Sequence, residues 1–260
     1  MKIEHRITLN VDGQQREMLG SCGIRLDEGF QTFVVEETHK HWNEIKRMLI
    51  AWEASDVVET KFTKAEVRKS VSAVVYPKWI NGFPQPEDDY LEQCYDLSDY
   101  CSSCGIGKVQ KSPLRIKVEP KWGKKSIFLL NWIFEELFVK AELYDQLFKP
   151  LGVESEKVII HKTGKVSSSV VQLILPTTSY SLDDMNYYPS QSCQLCGRVK
   201  YLPIAKGFFP TLVSKDPLPI FKTQEYFGSG AAADKRIIVG SELKDRLVEN
   251  NCNVNFHPLG

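Results

Sequence analysis

Cys101-Ser102-Ser103-Cys104-Gly105 and Cys193-Gln194-Leu195-Cys196-Gly197 are the two places where residue type and spacing together prescribe chemistry. A two-residue gap lets a tight turn aim both sulfurs the same way, and two such turns supply four thiolates, the number and softness of a tetrahedral Zn²⁺ site. Gly105 and Gly197 directly follow the second cysteine of each pair, where a zinc knuckle needs positive φ and close backbone approach. Residues 105 to 192 separate the pairs, far more than the roughly 15–20 of a compact zinc ribbon. A shared ion would therefore join distant parts of the fold. The matched turns favour one shared structural zinc at Cys101, Cys104, Cys193 and Cys196; two independent redox pairs, or buried cysteines without metal, are the alternatives. Four thiolates leave no open position for water, which argues against a catalytic metal.

Other chemistry finds little footing. Gly228-Ser229-Gly230 lacks the Gly-Lys-Ser/Thr ending that holds phosphates, and no Gly-x-Ser-x-Gly elbow occurs. The five histidines show no His-Glu-x-x-His spacing, and read as exposed or capping residues. Glu135-Glu136 and Asp183-Asp184 are sequence neighbours, which does not fix the separation that paired catalytic carboxylates need. The reading leans away from an enzyme.

Thirty-three basic and thirty-three acidic residues cancel, so no global field draws the chain to nucleic acid or an anionic membrane. Locally the charges segregate. Glu87, Asp88, Asp89, Glu92, Asp96 and Asp99 form an acidic run without a base. Lys108, Lys111, Arg115, Lys117, Lys121, Lys124 and Lys125 follow the first knuckle against the single acid Glu119, and Arg198 and Lys200 follow the second. Positive charge beside the cysteines would partly compensate a Zn(Cys)₄ centre of formal charge −2. The acidic run 87–99 or the basic run 108–125 is a candidate protein-docking surface by charge complementarity. The basic run with Trp122, an aromatic able to stack on a base, is a candidate nucleic-acid patch.

The elements that must position these residues read as mixed α and β. Ile3 to Val11 with the Asp12-Gly13 turn suggests a hairpin returning through Met18 and Leu19. Thr38 can cap a helix with Trp42, Ile45, Met48, Leu49 and Trp52 on one stripe, and Thr63 to Glu66 has capping-box spacing. The loop Pro77 to Pro86 is extended and aromatic, with Trp79 and Phe83 anchored on their own domain. Leu114, Ile116 and Val118 alternate as a strand, and Ile127 to Leu130 reads as a buried one. Trp132 to Phe148 reads as a helix stopped at Lys149-Pro150-Leu151-Gly152. Strands are expected at 158–161, 170–175, 199–202, 221–223, 237–239 and 253–256. A surface connection is expected at Thr177 to Ser192, and a final helix capped by Ser241. The fold class is α+β, mixed sheets and a few helices stapled by a Cys₄ zinc site made from two distant knuckles. The expected organisation is an N-terminal α+β lobe at 1–62 and a zinc-stapled α+β domain at 63–260.

At the two Cys-x-x-Cys-Gly turns, and more loosely at Phe221 to Phe256, the chain resembles the bacterial double-CXXCG proteins, a zinc-knuckle family that includes toxin-immunity proteins. Most of residues 1–90 lie outside the resemblance. It implies that Cys101, Cys104, Cys193 and Cys196 are zinc ligands. It also implies a non-catalytic protein that binds a protein partner, as an immunity protein or antitoxin neutralising a toxin. The alternatives are a nucleic-acid-binding zinc protein using 108–125 and, less favoured, a toxin or modifying enzyme. The opening residues lack the apolar stretch of a signal peptide. Seven cysteines, with Cys22, Cys94 and Cys252 read as buried thiols, fit a reducing compartment. Cytoplasm is the expected location, without membrane contact.

Overall fold

The computed structural model describes residues 1–260, and the chain folds as two units, Met1–Glu66 with Ala205–Gly207 and Val67–Ile204 with Phe208–Gly260. In the first unit β1 (Lys2–Val11) lies between β2 (Gly29–Glu36) and β3 (Ser55–Lys61), all antiparallel. The two-residue period of β1 turns Ile7, Leu9 and Val11 inward, where they pack on Leu19 of α1 (Gly13–Ser21) and on Trp42, Ile45 and Leu49 of α2 (Trp42–Ala51). The expected Asp12-Gly13 hairpin is instead the start of α1. Asp12 accepts from the Gln15 N–H at 2.7 Å, and the Gln15 side chain accepts from the Asp12 N–H at 3.0 Å. This reciprocal cap satisfies two orphan donors and outweighs the local turn preference. Thr38 does not cap α2; its hydroxyl donates to Glu36, and His41 is the N-cap residue. The Thr63/Glu66 box forms as read and opens α3 (Lys64–Lys69).

The second unit contains β4 (Ser72–Pro77), α4 (Tyr90–Cys94), β5 (Tyr95–Asp96), β6 (Val109–Gln110), β7 (Arg115–Ile116), β8 (Ile127–Leu130) and β9 (Ile133–Lys140). Then follow α5 (Ala141–Leu143), a π turn at Tyr144–Phe148, β10 (Ser155–Ile160), β11 (Val166–Leu173), β12 (Ser190–Ser192) and β13 (Val199–Tyr201). The chain ends with β14 (Ile220–Phe227), β15 (Asp234–Gly240), α6 (Ser241–Glu249) and β16 (Val254–Pro258). One sheet has the order β7-β10-β11-β9-β8, a second β12-β13-β14-β15-β4-β16, and β5-β6 is a separate ribbon. The α+β class thus holds. Ile127, Leu137 and Val139 from the first sheet, Val75, Ile237 and Val239 from the second, and Leu243 and Leu247 of α6 share one buried core.

The segment 132–148 is a strand before it is a helix. Trp132 takes φ 67 at the turn after β8, and β9 then pairs with β8 and β11, burying Ile133 and nearly every residue from Glu135 to Val139. A strand buried on both faces shows a near-continuous apolar run, which sequence periodicity does not separate from a buried helix. Helix begins only at Ala141, and the chain leaves it at Gly152 with φ 74, so the Pro-Gly stop acts where expected. The 114–118 strand shortens to Arg115–Ile116, with Val118 exposed. The connection 177–192 is not all surface, because Leu182 and Met185 are buried against Phe209 and Phe221. No helix is long and apolar enough to cross a membrane.

Candidate metal centre

Both cysteine turns are held by antiparallel ribbons. β5 and β6 pair Asp96 with Val109 at the base of the first, and β12 and β13 pair Ser192 with Val199 around the second. The two turns share one hydrogen-bond pattern. Cys101 N–H donates to the Ile106 carbonyl and Cys193 N–H to the Arg198 carbonyl, both at 2.8 Å. Gly105 N–H returns to the Cys101 carbonyl at 2.7 Å, and Gly197 N–H to the Cys193 carbonyl at 2.9 Å. Gly105 has φ 84 and Gly197 φ 72, the left-handed region that the glycine placement anticipates.

The turns meet. Cys101 Sγ lies 3.7 Å from Cys193 Sγ, and Cys104 Sγ 3.7 Å from Cys196 Sγ. The four sulfurs are all within 4.8 Å of one another, and none is in a disulfide. With metal–sulfur bonds of about 2.3 Å, the edge of a tetrahedral site is about 3.8 Å, so the observed separations fit one ion bound by all four. Cys101 and Cys104 are 5% and 4% exposed, while Cys193 and Cys196 are half-buried. The site is closed on the first knuckle's side and reached by solvent from the second's.

Protein contacts brace the same junction. Arg198, just after the second knuckle, donates to the Asp99 carbonyl at 2.7 Å and to the Asp99 carboxylate at 3.2 Å. Lys200, 3% exposed, donates to the carbonyls of Cys104 at 3.0 Å, Gly230 at 2.5 Å and Ala232 at 2.9 Å. The small-residue segment 228–233 is the wall of the centre, with Ala233 packed against the cysteines and Ile106. A Cβ on Gly105 would overlap the Ala231 carbonyl oxygen. Sequence reasoning placed Arg198 and Lys200 beside the cysteines but missed this wall. Its signal was the run of residues too small to fill a core of their own.

The sulfurs sit in unlike fields. The N–H groups of Cys196 and Leu195 hold the Cys193 thiol down to about 6, and the Cys104 N–H lowers that of Cys101. Burial pushes Cys104 up to about 11. Hydrogen bonds to sulfur favour the thiolate that a metal needs, and burial opposes it.

The charged runs divide. Glu87, Asp88, Asp89, Glu92, Asp96 and Asp99 are all exposed, and only Asp99 is in an ion pair, with Arg198. In the basic run Lys111, Lys117, Lys121, Lys124 and Lys125 are exposed and Arg115 half-buried. Lys108 turns inward, 3.7 Å from both Glu135 and Asp234. Trp122 packs on Trp79 and Phe128 and donates its indole N–H to Ser169 at 3.2 Å, so its ring does not stand free to stack on a base. Trp79 joins the same cluster, as its anchoring predicts, and Lys125 sits 4.5 Å over its ring.

A cavity of about 560 Å³ is lined among others by Tyr95, Lys108, Glu135, Glu136, Gln172 and Lys222. Its charges pair internally. Lys222 donates to Glu136 at 2.5 Å, and Gln172 to the same carboxylate at 3.1 Å. Glu135 lies 3.7 Å from Lys108 and accepts from the Lys235 N–H at 3.0 Å.

No family model matches the chain, and no curated protein or solved structure is significantly similar to it.

Proposed function

We propose that this is a zinc-stapled, non-catalytic protein that binds a basic protein partner, in the manner of an immunity protein or antitoxin. The observation that carries the metal assignment is Lys200. A buried ammonium satisfied only by carbonyls, with no carboxylate partner, is costly unless a neighbouring negative charge compensates it. A Zn(Cys)₄ centre of formal charge −2 supplies that charge beside the Cys104 carbonyl. Zinc is favoured over other divalent ions by four thiolates in tetrahedral spacing. Four sulfurs complete its coordination, so the ion joins the two knuckles and presents no site for water.

The partner reading rests on the exposed acidic run 87–99, which leads directly into the first knuckle. Five of its six carboxylates make no ion pair, an arrangement that favours fast, salt-sensitive association with a positively charged surface. Nucleic acid has less support, because Lys108 and Trp122 are taken up by internal contacts. Native mass spectrometry of the protein purified gently from its host tests the reading. A zinc-loaded chain carrying a basic protein is expected, and reversal of Glu87, Asp88 and Asp89 to Lys should release that protein while zinc stays bound. Co-purified nucleic acid, or a partner indifferent to the charge reversal, would contradict it.

A further inference from the structure

The first unit brings a second set of metal-ligating side chains together, remote in sequence from the four cysteines. Cys22 lies at the C-cap of α1 and is 1% exposed. His41 is the N-cap residue of α2, and Glu44 lies in that helix's first turn. The three-residue spacing places the imidazole and the carboxylate on one side of the turn. Cys22 Sγ, a ring nitrogen of His41 and a carboxylate oxygen of Glu44 all lie within 4.8 Å of one another. His41 Nδ1 and Glu44 Oε2 are 3.5 Å apart, beyond an ordinary N–H···O hydrogen bond of about 2.7–3.2 Å. Donors around an ion with bonds of about 2.0–2.3 Å sit roughly 3–4 Å apart. Small movements of His41 and Glu44, side chains 35% and 53% exposed, reach that spacing without disturbing the buried thiol.

We propose that Cys22, His41 and Glu44 form a second binding site for a divalent transition metal, Zn²⁺ being the ion that suits the set. A thiolate, an imidazole and a carboxylate are all zinc donors, whereas Mg²⁺ and Ca²⁺ take oxygen ligands and leave a thiol unused. The layout differs from the Cys₄ centre in kind. The sulfur forms the inner wall and the two exposed side chains form the mouth, so three protein ligands leave the outward position to water. An ion here ties the end of α1 to the start of α2. By contrast Cys94, equally buried, donates to the Pro113 carbonyl at 3.8 Å with no imidazole or carboxylate grouped around it, and shows what a core thiol without such partners looks like.

The site is independent of the partner reading and of the Cys₄ centre. Equilibrium dialysis of the full-length protein against micromolar Zn²⁺, with the bound metal counted, tests it. Wild type is expected to hold two ions, and Cys22→Ala and Glu44→Gln one each. With Co²⁺ in place of zinc, wild type should exceed Glu44→Gln only by the weak thiolate absorption of one Cys22–Co²⁺ bond, the Cys₄ bands being present in both. An ion count that Glu44→Gln leaves equal to that of wild type, whether one or two, would overturn the proposal. Glu44 is exposed, so that variant decides the matter even if Cys22→Ala fails to fold.

Discussion

Gly105 and Gly197 occupy equivalent places in the two knuckles, yet their surroundings differ, and substitution should separate them. At Gly105 an added Cβ meets the Ala231 carbonyl as well as a left-handed backbone, while at Gly197 nothing lies within 4 Å. Gly197→Ala is expected to cost about 1–2 kcal/mol from backbone strain alone. Gly105→Ala should cost about 2–4 kcal/mol, because crowding adds to the strain. Denaturant unfolding of the zinc-loaded protein measures both, and equal losses would mean that segment 228–233 does not press on the first knuckle. The thiols offer a second contrast. Once metal is chelated, Cys193, held to about 6, is mostly thiolate at neutral pH, whereas Cys104, raised to about 11, is protonated. Alkylation mapped by mass spectrometry should label Cys193 first, its rate falling as pH drops through about 6, while Cys104 reacts only in strongly alkaline solution. The cysteine spacing was legible from sequence because it is local. That Lys200 would reach three carbonyls on two distant segments was not, because nothing local encodes those approaches.

At the scale of elements, β13 does two jobs, pairing with the second knuckle's incoming strand and sending Lys200 beneath the first. Lys200→Met would keep the bulk and remove the donor, leaving the carbonyls of Cys104, Gly230 and Ala232 unpaired. A loss of at least about 2 kcal/mol is expected, together with roughly 10-fold weaker zinc binding. A variant that melts with wild type and binds zinc equally well would show that the ammonium is dispensable. The elements also show where sequence reading stops. The strands read at 127–130, 237–239 and 253–256 were visible as short runs with clear breaks, the last forming at Val254–Pro258. The helix read across β9 was not a failure of hydrophobicity. Continuous burial erases the alternation that distinguishes a strand, and only pairing with β8 and β11 settles the period. At α1 the competing signals were both local, and the capping pair Asp12/Gln15 prevailed over Asp12-Gly13 as a turn.

For the whole molecule, the four clustered cysteines all belong to the second unit, and the first unit has its own core around Ile7, Leu19 and Ile45. Chelation should therefore act selectively. Hydrogen exchange is expected to accelerate across 95–110, 190–201 and 226–234, and in the first unit only where α1 ends and α2 begins around Cys22 and His41, while the β1 ladder stays protected; uniform acceleration would contradict this division. Knuckle-type zinc binding is worth about 10–16 kcal/mol, comparable with or above the net stability of a domain, so a zinc ion at the four cysteines would govern the order of the segments it joins. The measurement that bears most directly on a single ion shared by both knuckles is the metal and thiol status of Cys193→Ser. A shared ion predicts that this substitution weakens or releases the metal and makes Cys101, on the other knuckle, open to alkylation near neutral pH, with Cys104 following only as the pH is raised. If Cys101 and Cys104 keep an ion and stay protected while only Cys196 becomes reactive, the knuckles bind separately and the staple does not exist.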